Sequence, residues 1–145
     1  MASPLSPEQV RMYIKDRADS NYLITGEEFS NERIGLAMEL TVDTFNFTTP
    51  TTNYDLANFP SKAILLYGTL ANLFSGQSAL AARNQMSYSD GGLNIPIEER
   101  FQLYQSLAAQ YGQQYADLSK QWKIQANMES GWGGVSSDYA TFPMW

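Results

Sequence analysis

Eight residues, Ile97, Phe101, Tyr104, Ala108, Tyr111, Tyr115, Leu118 and Trp122, recur at alternating steps of four and three. A period of 3.5 puts them on one continuous face of an α-helix. The pattern predicts a single helix from about Pro96 to Asn127, about 45 Å long at ~1.5 Å per residue. Glu98 and Glu99 stand at its start and Lys120 and Lys123 near its end, as the helix dipole favours. Such a rod is longer than a domain of this size needs for its own core. It reads either as the long helix of a bundle or as a helix lending part of its stripe to another subunit. The ring-bearing positions favour an edge, because tyrosine hydroxyls want polar partners. Tyr104, Tyr111, Tyr115 and Trp122 are therefore candidate subunit-interface residues.

The rest of the sequence also reads as helix. In "SPEQVRMYIKDRA", Ser6 is a good N-cap, Pro7 suits the first helical position and Gln9 completes a capping box. Val10, Tyr13, Ile14 and Ala18 would share its apolar face. Ser30 caps "NERIGLAMELTVDTFNF", where Ile34, Ala37, Thr41 and Phe45 form a stripe that Leu36 and Leu40 widen. Pro50 and Pro60 exclude helix through the Thr- and Asn-rich stretch between them. A third helix follows Ser61 and runs to about Asn84. Its "AILLYGTLANLF" is apolar nearly all round, which predicts a central helix touched on several sides. Gly76 is a point where it would kink or weaken. "MSYSDGGLNIP" is a break, and Asp90-Gly91-Gly92 suits a projecting loop or hairpin near residues 87–95. Tyr88, Asp90, Gly91 and Gly92 are its candidate contact residues. The fold class expected is all-α, a helical bundle with one long C-terminal helix. The body spans residues 1–127, and 128–145 form an extended arm.

Composition removes several kinds of chemistry. The chain has 145 residues and neither cysteine nor histidine. Disulfides, thiol catalysis and Ser–His or Cys–His nucleophile pairs are impossible, and a zinc site has almost no ligands to draw on. Fifteen acidic residues against nine basic give a net charge of −6. Non-specific binding to nucleic acid needs clustered Lys and Arg, and here they are scattered. No apolar run approaches the ~20 residues of a membrane span, and "MASPLSPEQV" lacks the features of a signal peptide. Adjacent pairs Glu27/Glu28 and Glu98/Glu99 point apart on a helix and sit where helix starts favour acids. Glu39 and Asp43 share a helix face, which reads as a solvated surface; holding a divalent cation would take a third oxygen ligand. "DGGLN" lacks the lysine of a phosphate loop. No catalytic residue, cofactor or metal is expected.

The stretch "SPEQVRMYIKDRADSNYLITGEEFSNERIGLAMELTVDTFN" resembles the start of a head–tail adaptor, or neck connector, of tailed bacteriophages. Its signatures are the opening helix from Pro7 to Arg11, the joint Glu28-Phe29-Ser30 and the close on Asp43-Thr44-Phe45-Asn46. "AARNQMSYSDGGLNIPIEERFQLYQSLAAQY" is similar to phage virion proteins of the same kind. The resemblance implies an all-helical, non-enzymatic structural subunit of a homo-oligomeric, dodecameric ring. The ring would be made in the host cytoplasm and sit in the virion neck. It would join the portal protein to a tail or stopper protein and extend the DNA channel, with DNA passing through unbound. The tail "SGWGGVSSDYATFPMW" then reads as a portal-docking arm, freed by Gly131, Gly133 and Gly134. Its anchors would be Trp132, Val135, Tyr139, Phe142, Pro143, Met144 and Trp145. The other readings are a fold-back of this tail over the helix stripe, a transient assembly factor, and a small helical ligand-binding domain or enzyme.

Overall fold

The computed structural model describes residues 5–88 and 97–133, with side chains at 5–84 and 100–131. Its regular elements are four helices, α1 (Pro7–Ile14), α2 (Asn31–Phe47), α3 (Lys62–Tyr88) and α4 (Ile97–Gly133). The all-α expectation holds. The starts of α1, α2 and α3 are made as the sequence implies. Ser6 Oγ accepts from Gln9 N at 3.3 Å while Ser6 N donates to Gln9 Oε1 at 3.1 Å, closing the capping box. Ser30 Oγ accepts from Arg33 N, and Ser61 Oγ from Ile64 N. α1 stops at Ile14 because Lys15 turns into the left-handed region at φ 54° and donates its N–H back to the helix.

α3 is the central helix, packed between α2 and α4. Ile34, Ala37, Met38, Thr41, Val42 and Phe45 of α2 are buried, and they meet Ile64, Leu65, Leu70 and Leu73 of α3 together with Val10 of α1. Gly68 marks the closest approach. A Cβ there would collide with Thr41 Cγ2 and lie 2.8 Å from Tyr115 Cδ2. Polar groups stitch the same junction. Asn72 Nδ2 donates to Thr41 Oγ1 at 3.1 Å, and Tyr115 Oη donates to the Thr41 carbonyl at 3.3 Å.

Three expectations are corrected here. Leu36 and Leu40 do not widen the buried stripe of α2; they are 58% and 47% exposed. The third helix does not end near Asn84 but continues to Tyr88, taking Ser87 and Tyr88 out of the expected loop. It passes Gly76 as helix. α4 does not end at Asn127 but reaches Gly133, so Met128, Gly131 and Trp132 are helical. The remainder of the loop, with Asp90, Gly91 and Gly92, lies outside the described residues. So do the arm positions Val135, Tyr139, Phe142, Pro143, Met144 and Trp145.

Candidate functional site

Two buried cations organise the molecule. Arg11, fully buried, lies where α1 meets the start of α2. Its Nη1 donates to Glu8 Oε1 at 2.9 Å and Asn31 Oδ1 at 2.8 Å, and its Nη2 donates to the Phe29 carbonyl at 2.7 Å. Glu27 stands 3.4 Å away and Asp16 3.8 Å from Nε. Asp16 is itself 3% exposed and accepts from the N–H groups of Glu28 and Phe29. The guanidinium and its acids thus tie the 16–29 segment to both helices. Arg17 adds an ion pair to Glu8 at the surface.

Lys123 of α4 is the second cation, 4% exposed. Its ammonium donates to the carbonyls of Phe45 and Thr48, to Thr48 Oγ1 at 2.9 Å and to the Pro50 carbonyl at 3.0 Å. It also sits 4.5 Å above the Phe45 ring. The last turn of α2 has no basic residue of its own. Lys123 supplies one from another helix, where the negative end of the dipole and unpaired carbonyls want it. Burial still lowers its pKa from the ordinary 10.5, because the site takes the charge out of water.

No carboxylate pairs with Lys123 among the described residues, whereas Arg11 has three within 4 Å. Beside Lys123 opens a cleft of about 370 Å³ between α4 and the Thr48–Pro50 turn. Ser119, 7% exposed, lines it with a hydroxyl that lies beside the Tyr115 hydroxyl and makes no close hydrogen bond. Tyr115, Ala116 and Ile124 give it apolar walls, and the exposed Lys120 adds a second cation at its edge.

The aromatic stripe of α4 lies elsewhere, along the seam with α3. Tyr111 stacks on Tyr67 and Phe74 at centroid distances of 6.1 and 5.8 Å and meets Tyr13 edge-on. Tyr104 stacks on Phe74, and Trp122 packs against Phe45 and Tyr54. The hydroxyls also find partners within the chain: Tyr104 donates to Glu28 Oε1 at 3.0 Å, as Tyr115 does to Thr41. Tyr104, Tyr111, Tyr115 and Trp122 are half-buried seam residues, and the apolar groups α4 turns outward are Leu103, Ile124 and Met128. Glu39 and Asp43 are exposed, and among the described residues no group of three or more acidic side chains is placed to hold a metal ion. No described helix is long and apolar enough to cross a membrane.

The sequence reading missed both cations. Arg11 looked like one basic residue among acids, and Lys123 like a charge placed for its own helix. The signal for Arg11 is the set of acids, Glu8, Asp16 and Glu27, spread around it in sequence. Lys123 carried no such signal, because its partners are backbone carbonyls. Compared with known proteins, the chain matches no family model, no curated protein and no solved structure.

Proposed function

We propose that this chain is a structural subunit of the neck of a tailed bacteriophage, an adaptor that joins a ring on the portal and offers a docking surface to the tail or stopper. The observation that carries the reading is the resemblance of residues 6–46 and 81–111 to such adaptors, with the helical body the resemblance implies. α4 supports it as well. At 37 residues it is about 55 Å long, and its outward face carries Leu103, Ile124 and Met128 at 64%, 50% and 56% exposure. Single exposed apolar residues are ordinary; several along one long helix suit a subunit that meets neighbours.

The test is binding of the full-length chain to the portal of the phage that encodes it, followed by imaging of the particle. A ring beneath the portal is expected. Replacing Tyr139, Phe142 and Trp145 together by alanine should weaken portal binding at least tenfold without changing helix content, since aromatic anchors dominate interface energies. A chain that ignores the portal and is absent from the particle sinks the reading in favour of a transient assembly factor.

A further inference from the structure

The cleft beside Lys123 gathers two cations and no carboxylate among the described residues. A buried charge is ordinarily matched by an opposite one. Lys123 has its donors satisfied by carbonyls, yet its positive charge faces no carboxylate among the described residues. Lys120, exposed on the same wall, also lacks an ion pair there. Ser119 brings a buried hydroxyl whose polar neighbour is the Tyr115 hydroxyl and which makes no close hydrogen bond. The walls between these groups are apolar. The fitting occupant is therefore a carboxylate on an aliphatic stem, with apolar surface beside it.

The chain itself displays such a surface. Glu39 and Asp43 stand one turn apart on the exposed side of α2, and neither forms a hydrogen bond or ion pair with a described residue. They rim a shallow depression floored by Val42, Tyr54 and Leu56. The same helix turns Thr41 and Phe45 the other way, into the core. We propose that the cleft beside Lys123 is the receiving half of a head-to-tail contact, and that Glu39 and Asp43 of a second copy of this chain supply its missing carboxylates. Two different patches meeting in this way make a heterologous interface, which closes into a ring or runs on as a filament. This rests on the homo-oligomeric part of the neck reading and assigns it a surface.

Zero-length carbodiimide cross-linking of the full-length chain tests it, because the reagent joins only amines and carboxylates in contact. Mixing isotope-labelled and unlabelled chains separates links between copies from links within one. Links from Lys120 to Glu39 or Asp43 between copies are expected. Lys120→Glu should weaken self-association roughly tenfold at low salt, and so should Glu39→Lys with Asp43→Lys, since each turns attraction into repulsion. Lys120 is exposed, so its loss leaves the fold intact by circular dichroism. An equal mixture of the two variants should recover association, because every cleft then faces a complementary surface. Self-association indifferent to these changes, or none at low salt, overturns the proposal. So does binding of an acidic peptide without self-association. Portal binding is read separately: a chain that binds the portal without the Lys120 link keeps the neck reading and loses this contact.

Discussion

Gly68 is the residue on which three helices depend. Thr41 of α2 and Tyr115 of α4 occupy the space a side chain there would need, and Thr41 also anchors Asn72 and the Tyr115 hydroxyl. Neither neighbour is the free end of a flexible chain. Gly68→Ala should lower stability by about 1–3 kcal/mol, the usual cost of overpacking, despite alanine's better helix propensity. An unchanged denaturant midpoint would show that α4 can slide aside. Lys123 makes the opposite case, a charge whose removal harms neighbours. Lys123→Met keeps the aliphatic stem but strips donors from the Phe45, Thr48 and Pro50 carbonyls. It should cost about 2 kcal/mol, in the range of hydrogen bonds to a charged group. Alkaline titration exposes the seam. Desolvation, first of all, raises the pKa of Tyr13, Tyr104 and Tyr115 above 10.0, with Glu28 adding to the rise at Tyr104. Folded protein then holds protons that unfolded protein has given up, so their contribution is intact below pH 10 and is lost as pH rises through the folded values. Lys123 works the other way, since its lowered pKa makes the unfolded chain the better proton binder. Tyr115→Phe should therefore flatten the loss of stability above pH 10, followed by circular dichroism; an unchanged slope would place the effect at other groups.

At the scale of elements, helix starts were legible and some ends were not. Ser6, Ser30 and Ser61 are capping residues by their own chemistry, and a local rule found them. The end of α1 follows no such rule. Lys15 takes a left-handed conformation that costs a side-chain-bearing residue roughly 1 kcal/mol, and what holds it there is the Arg11–Asp16 cluster just beyond, made of contacts distant in sequence. Lys15→Gly should raise stability by about 0.5–1 kcal/mol, as glycine fits that position without strain. A drop in melting temperature would mean that the entropy of the unfolded glycine chain outweighs the relief. The stripe on α4 was legible as a helix and ambiguous as a surface. Periodicity reports that a face is apolar, and it is silent on which neighbour covers it. Here Tyr67 and Phe74 of α3 provide stacking partners, and Glu28 and the Thr41 carbonyl take the hydroxyl protons. Leu36 and Leu40 failed for the same reason, because α3 meets α2 through Ala37 and Thr41 and leaves the neighbouring leucines outside. Nothing in the structure explains why α4 runs on through Gly131, which has open space around it.

Across the whole molecule, burial is concentrated where α1, α2 and α3 meet, and it thins along α4. Ile34, Phe45, Leu65, Leu70 and Thr69 have almost no exposed surface. α4 lends Ser119 and Lys123 as its only buried residues among those described, and every described side chain from Asn127 to Gly131 is exposed. Local opening costs free energy in proportion to the contacts it breaks, so protection against hydrogen exchange should follow this gradient. Backbone amides of α3 from about Leu65 to Leu73 should exchange only with global unfolding. Those of α4 between Tyr111 and Lys123 should form an intermediate class, held by the aromatic seam and the lysine clamp. Amides from Asn127 to Gly131 should exchange fastest within α4, because their hydrogen bonds are local and no described residue packs over them. Assembly would change the order in one place. If the Lys120 side of α4 receives a second copy, amides on that stretch should gain protection with protein concentration while α3 stays as it was. Native-state exchange at two concentrations makes the distinction. Equal protection along all of α4 at high dilution would contradict the burial gradient, since the turns beyond Asn127 would then be held by contacts the body does not provide.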